Sequence, residues 1–431
     1  MTYAAKSKAL ENPVIVVGGG LMGVSTLHAL TESGIEAVLL EARSGVAEET
    51  SFANGGMQTP SMPDPWNGPG VGKHLLQSLF DPKSPMKLRW KAIPGLTPWG
   101  LKFLRNSSPT RHQATTMANY TLAAYSTELT EQARVDYDLK YAAANKGTLK
   151  IFESDEAMAS PLRLARMLEG KGLEFKKLTT EETLDVEPQL YAIRDRLTGA
   201  LQFPNDKTGD AHQFSKTLAV SAQEKGGKIK TETTVTKILV ENGKVSGVEV
   251  LTGEVIRGKA VIVATGVLPS RLLAPLGLKI DIAPAKGYSF TVDATVLGND
   301  CPHVPVIDDA MHAAVVPLGK RLRFVGTAEF AGRNTTIDKV RVENLQALFM
   351  RVYPHLAEKI DLSTGTAWTG LRPMSADGRP TIGPTPVAGL WMNIGHGHLG
   401  WTNAMGAAKL LVDQFKDETP DIDPAPFLYD R

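Results

Sequence analysis

The chain has 431 residues, 42% of them hydrophobic and 22% charged, with a formal net charge of +1. Its size exceeds one ordinary domain, and its composition is that of a globular protein with a sizeable core. The near-zero net charge points away from a nucleic-acid footprint, and the single cysteine, Cys301, excludes an internal disulfide or a thiolate metal cluster.

Residues 1–12 carry lysines but no apolar run, so no secretory leader is expected, and no segment reaches the ~20 apolar residues of a spanning helix. PVIVVGGGLMG (13–23) reads as a strand buried on both faces, then Gly18, Gly20 and Gly23 in G-x-G-x-x-G spacing, then a helix ending near Gly34. A second strand, 36–40, ends at Glu41. Strand, glycine turn, helix, strand and acid in that order form a dinucleotide-binding unit. Gly18 permits the turn, Gly20 admits a pyrophosphate to the backbone, and Gly23 lets the helix pack on the strand. Glu41 suits ribose hydroxyls and repels a 2′-phosphate, so the expected ligand is FAD or NAD rather than NADP.

ETSFANGGMQ (49–58) suits a backbone lining a ligand. The Pro- and Gly-rich tract 59–72 is expected to be irregular, and 87–131 reads as helical pieces broken at Pro94, Pro98 and Pro109. A strand is expected at 147–152, with helices at 160–170 and 180–186. LTGALQFPNDKTGDAHQF (197–214) reads as strand, turn and a helix entered at Asp210; Asp206 and Asp210 are read as turn and N-cap residues rather than a metal pair. A strand over 227–240 leads through Asn242-Gly243 into a hairpin. The buried strand 260–265, ending at Gly266, returns the chain to the first sheet. Residues 284–330 are strand-rich, 340–353 form an amphipathic helix, and a strand at 390–394 precedes a helix over 399–415.

PVIVVGGGLMG, ETSFANGGMQ, TVTKI, VIVATG, KGYSFT, WTGLRPMSADGRPTIGP and NIGHGHLGWTNAMG occur in that order. Together they resemble the FAD-dependent amino-acid oxidoreductases of the D-amino-acid oxidase and glycine oxidase superfamily, and within it the D-amino-acid dehydrogenase small-subunit branch. The resemblance implies an α/β fold: a Rossmann-like FAD-binding domain of glutathione-reductase type (13–60, 205–275 and 375–420), interleaved with an α+β substrate domain (61–204 and 276–374) on a mixed or antiparallel sheet. It implies FAD as cofactor, no metal, and an amino-acid substrate oxidised by hydride transfer to flavin N5, giving a 2-oxo acid and ammonia. Electrons would pass to a quinone or other acceptor, with the protein cytoplasmic or peripheral to the inner membrane.

The FAD contacts implied are Gly18, Gly20, Leu21, Met22, Gly23, Glu41, Ala42, Arg43, Ser51, Asn54, Gly55, Gly56, Met57, Val235, Gly266, Gly395, Gly397, Leu399, Gly400, Trp401 and Thr402. Arg372 is the expected partner of the substrate carboxylate, because a guanidinium offers two parallel N–H bonds and keeps its charge when buried. Tyr288 would add a hydroxyl to that carboxylate or close the pocket, and Lys286 would lie near the flavin or at a solvated strand end. His396 is expected to touch the flavin or the substrate pocket. His398 stands where the resemblance leads one to expect threonine. The glycines around the two histidines, with N–H groups opening a helix at Leu399, are expected to face the isoalloxazine. An oxidase or a D-hydroxyproline or proline dehydrogenase shares these motifs. A non-catalytic flavoprotein assembly factor would have no need of Arg372, and a one-domain NAD dehydrogenase does not explain ETSFANGGMQ.

Overall fold

The computed structural model describes residues 12–78 and 86–431. The amino-terminal stretch read above as leaderless lies almost wholly outside the described residues. Two large sheets organise the remainder. The first has six strands in the order Thr381–Pro384, Leu390–Ile394, Ala260–Val263, Val14–Val17, Ala37–Leu40 and Lys228–Lys230. All neighbours are parallel except the pair at the Thr381 edge. Val14–Val17, Ala37–Leu40 and Ala260–Val263 are buried throughout, as both-face burial of a parallel sheet requires. Helices Leu21–Glu32, Ala211–Glu224 and Ala404–Phe415 pack on one face; a three-stranded meander, Val235–Glu241, Lys244–Val250 and Val255–Arg257, packs on the other. This is the Rossmann-like unit expected.

The second sheet is mixed and nine-stranded. Its long members are Thr366–Ser375, Ile282–Asp293 and Arg321–Phe330, antiparallel neighbours in that order. Helix Lys339–Val352 covers one face; in the layer between, Phe324 and Phe349 stack and Tyr353 packs tilted against Phe349. The opposite face turns toward the segment 50–56, which ties the two sheets together. Thr50 Oγ1 donates to Leu371 O, Ser289 Oγ to Ala53 O, and Arg323 Nη1 to Asn54 O.

Several boundaries differ from the sequence reading. The strand expected over 227–240 is two strands in different layers. Between them, Glu232 takes a positive φ, and Glu232 and Thr233 donate their N–H groups to Arg43 O and Glu41 O instead of continuing a ladder. The helix expected from residue 160 begins at Asp155, because Ser154 accepts from Ala157 N as N-cap; Pro161 lies inside it. Helix Ile93–Arg105 likewise runs through Pro98. The carboxyl-terminal helix opens at Ala404, not Leu399; Gly397–Leu399 is a separate short 3-10 turn. Asp210 caps Ala211–Glu224 by accepting from His212 N and Gln213 N. Asp206 is buried, holds Ser61 and Thr148 hydroxyls, and is pushed up to about 7 by burial. No metal-ligating cluster occurs among the described residues.

Candidate active site

The glycine turn sits between the carboxyl ends of three parallel strands. Gly18 has φ +105°, and a Cβ there would lie 2.7 Å from Ala264 O. A Cβ on Gly23 would run into Gly18 O, so the helix Leu21–Glu32 approaches the strand as closely as glycine allows. Gly20 is the extended N-cap of that helix. Ser51 Oγ accepts from Leu21 N at 3.2 Å, while Met22 flanks the same first turn, where N–H groups lack intrahelical acceptors. Glu41 is buried and accepts from Gly19 N at 2.5 Å and Arg43 N at 2.7 Å. A carboxylate has about four lone-pair sites, so acceptor capacity remains. Ala42 and Arg43 are exposed, Arg43 paired with Glu49. Half-buried Val235 begins the meander beside them.

Asn54 Oδ1 accepts from Gly56 N, and Gly56, at φ +70°, faces Leu318 and Val316; Gly55 is adjacent and Met57 packs on the same cluster. Gly266, at φ +56°, follows the strand Ala260–Val263, and Thr265, whose backbone lies beside Gly18, has a buried hydroxyl without a partner among the described residues.

The carboxyl-terminal loop is built differently from expectation. Gly395 (φ +79°) and Gly397 (φ +57°) need glycine: a Cβ at Gly395 would lie 2.2 Å from Ser375 Oγ, which itself donates to Gly395 O. Gly400 has a helical φ of −52°, with its nearest neighbour 3.8 Å away, so it carries no such demand. Thr402 Oγ1 accepts from Thr59 N. Leu399 and Trp401 are buried, and Trp401 packs against Tyr141 and Phe214 in the core of the first unit. His396 is buried beside Met374. Asn393 donates to Thr26 Oγ1, whose own hydrogen goes to Met22 O, so Asn393 Oδ1 is free to accept from His396 Nε2–H at 2.7 Å. This assigns the neutral tautomer with a bare Nδ1, which has no partner among the described residues; burial lowers the His396 pKa to about 3.

Arg372 lies in strand Thr366–Ser375, opposite Ala285. Its side chain crosses Gly287, where a Cβ would be 2.2–2.6 Å from the guanidinium atoms. Nη1 donates to Thr327 O at 3.2 Å, and Cζ lies 5.6 Å from the Trp66 ring centre. Thr327 has φ +57°, which is strained for a β-branched residue, and its buried hydroxyl has no partner among the described residues. Among the described residues no carboxylate is within ion-pair reach of Arg372, and burial alone lowers its pKa, to about 10.

Tyr288 and Lys286 are corrected. Side chains alternate across a strand, so both face the side of the sheet opposite Arg372. Tyr288 donates to Glu329 Oε2 at 2.7 Å, and burial followed by Glu329 raises its pKa. Lys286 is buried, 3.0 Å from the same carboxylate, and donates to Thr336 O. Neither hydroxyl nor ammonium reaches the Arg372 pocket.

A family model described as FAD dependent oxidoreductase, DAO, matches residues 13–414. The chain belongs to that family. The oxidoreductase is 36% identical over 418 residues to a D-amino acid dehydrogenase of Cereibacter sphaeroides, covering 97% of this chain and 95% of that one. In fold it is similar to glycine oxidase from Geobacillus kaustophilus (TM-score 0.74, 22% identity, 97% and 98% of the two chains). It is also similar to L-amino acid deaminase from Proteus vulgaris (TM-score 0.76, 15% identity, 100% and 99%). The fold therefore accommodates enzymes named for either hand of amino acid.

The residues present fit FAD, the cofactor of this family. A tight turn that leaves no room for a Cβ at Gly18 or Gly23, the open helix amino terminus at Gly20, the Glu41 carboxylate, and a Thr265 hydroxyl without a partner among the described residues are what a pyrophosphate and ribose need. Sequence reasoning missed Gly287, Thr327, Thr265 and Trp66. Only Gly287 carried a signal: a glycine inside a strand marks a close approach.

Proposed function

We propose that this flavoenzyme oxidises D-amino acids at Cα, giving an imino acid that hydrolyses to a 2-oxo acid and ammonia. The observation that carries the reading is Arg372, a half-buried guanidinium that, among the described residues, has a single carbonyl acceptor and no counter-ion. A cation partly withdrawn from water in this way is stabilised by an incoming carboxylate, and a guanidinium holds one through two parallel bonds. When bound, FAD would supply the acceptor for the hydride, which carries both electrons away from Cα.

The chain's own residues do the remainder. Arg372, braced by Thr327 O, fixes the carboxylate and so the direction in which the Cα hydrogen points. Enclosure of the amine disfavours its charged form, releasing the proton that must leave before the C=N bond forms. His396, whose pKa burial lowers to about 3, presents a bare Nδ1 as a hydrogen-bond acceptor rather than as a base. Handedness rests on the likeness to the D-amino acid dehydrogenases.

The acceptor we propose is a membrane quinone. No helix among the described residues is long and apolar enough to cross a membrane. The reading is supported by helix Ile93–Arg105 and the turn before it, which expose Trp90, Leu101 and Leu104 beside Lys91, Lys102 and Arg105. Anaerobic bleaching of the flavin by a panel of D- and L-amino acids tests the reaction. Reduction by D-amino acids is expected; a flavin that stays oxidised with all of them overturns the proposal.

A further inference from the structure

His398 is the side chain of the carboxyl-terminal loop that the reaction above leaves unused. Its ring stacks on Trp66, with centroids 5.5 Å apart and planes 17° from parallel, while Arg372 approaches the Trp66 ring at 5.6 Å. His398 Nε2 faces Met62 O at 3.3 Å; a carbonyl only accepts, so Nε2 carries the hydrogen. Trp66 lies in an irregular Pro- and Gly-rich tract, yet its backbone is pinned on both sides. The Pro65 carbonyl meets His112 Nε2 at 3.2 Å, and Asn67 Nδ2 donates to Ala376 O. Pro65 also packs against Gly378, which has φ +81° and no room for a Cβ. The indole is therefore a wall held in place beside both the guanidinium and the loop.

We infer that Trp66 is a specificity-determining residue at the Arg372 site and that His398 is the positioning residue that holds its ring in place. The inference rests on the reading of Arg372 as the carboxylate partner. A carboxylate in the guanidinium plane brings the substrate's Cα substituents alongside the indole. The aromatic face holds the guanidinium in place, and its edge limits the side chain that fits. Removing the ring therefore acts on carboxylate affinity and on side-chain ranking together.

The test uses FAD-loaded enzyme and two readouts. One is competitive inhibition by propionate, a carboxylate without an amine; the other is the order of kcat/KM from D-alanine to D-phenylalanine. Trp66→Leu is expected to weaken propionate roughly tenfold, to raise KM more than it lowers kcat, and to shift preference toward larger side chains. Trp66→Phe should retain most of the affinity. His398→Ala should move both readouts in the direction of Trp66→Leu, and His398→Phe, which keeps a ring but not the bond to Met62, should restore them. Unchanged propionate affinity and ranking in Trp66→Leu overturn the role of Trp66. Equal damage in His398→Ala and His398→Phe overturns the stacking role of His398. If Trp66→Leu does not fold, the two His398 variants decide. Propionate binding that survives Arg372→Ala refutes the Arg372 assignment itself, whatever Trp66 does.

Discussion

Gly287→Ala isolates what the strand beneath Arg372 contributes. The added methyl would sit 2.2 Å from Nη1, 2.4 Å from Cζ and 2.6 Å from Nη2, all well inside contact distance. The strand cannot yield, because Gly287 is paired to Gly370 within a ten-residue antiparallel register. The guanidinium must therefore lift away from the sheet, losing the bond to Thr327 O and its alignment with a bound carboxylate. Hydrogen bonds to charged groups are worth about 1.5–3 kcal/mol each, so kcat/KM should fall roughly 10- to 100-fold. FAD content should hold, since the Gly18 cradle and Glu41 lie elsewhere. The assay is steady-state reduction of a dye acceptor by a D-amino acid, with flavin absorbance and Tm as controls. A kcat/KM within twofold of wild type would refute the idea that Arg372 must lie flat on Gly287.

Tyr288→Phe should leave kcat/KM within about threefold but lower stability by roughly 1–3 kcal/mol in a denaturant titration, because Glu329 loses a buried donor. Glu41→Ala should weaken FAD at least about tenfold in a flavin-release assay, as it frees the Gly19 and Arg43 N–H groups and removes the ribose acceptor. Asp206, pushed up to about 7 by burial, favours the protonated folded state. Its contribution is thus fully present below the ordinary carboxylate pKa and is lost as pH rises through about 7. Asp206→Asn should flatten the decline in Tm between about pH 4 and 7; an unaltered Tm–pH profile would contradict that origin.

The first unit was readable because each of its signals is local. The β-branched run, the glycine spacing and the terminal acid lie within one stretch of about thirty residues, and the expected layering follows. The second sheet was harder, because its site is made by register. That Tyr288 and Arg372 face opposite sides depends on Ala285 pairing with Arg372, a contact 87 positions apart that no periodicity reveals. The strand break near Glu232 escaped notice for a related reason: Arg43 O and Glu41 O, distant in sequence, take up its backbone donors. The two histidines of NIGHGHLGWTNAMG separate by environment alone, one facing Asn393 in the interior, the other stacked on Trp66.

Anaerobic flavin reduction in the wild type and in Arg372→Ala, each loaded with FAD and mixed with D- and L-amino acids, tests the central claim most directly. Bleaching by D-amino acids in the wild type, slowed at least about a hundredfold in Arg372→Ala with flavin content intact, is the expected result. Equal rates of bleaching in the two proteins would contradict it.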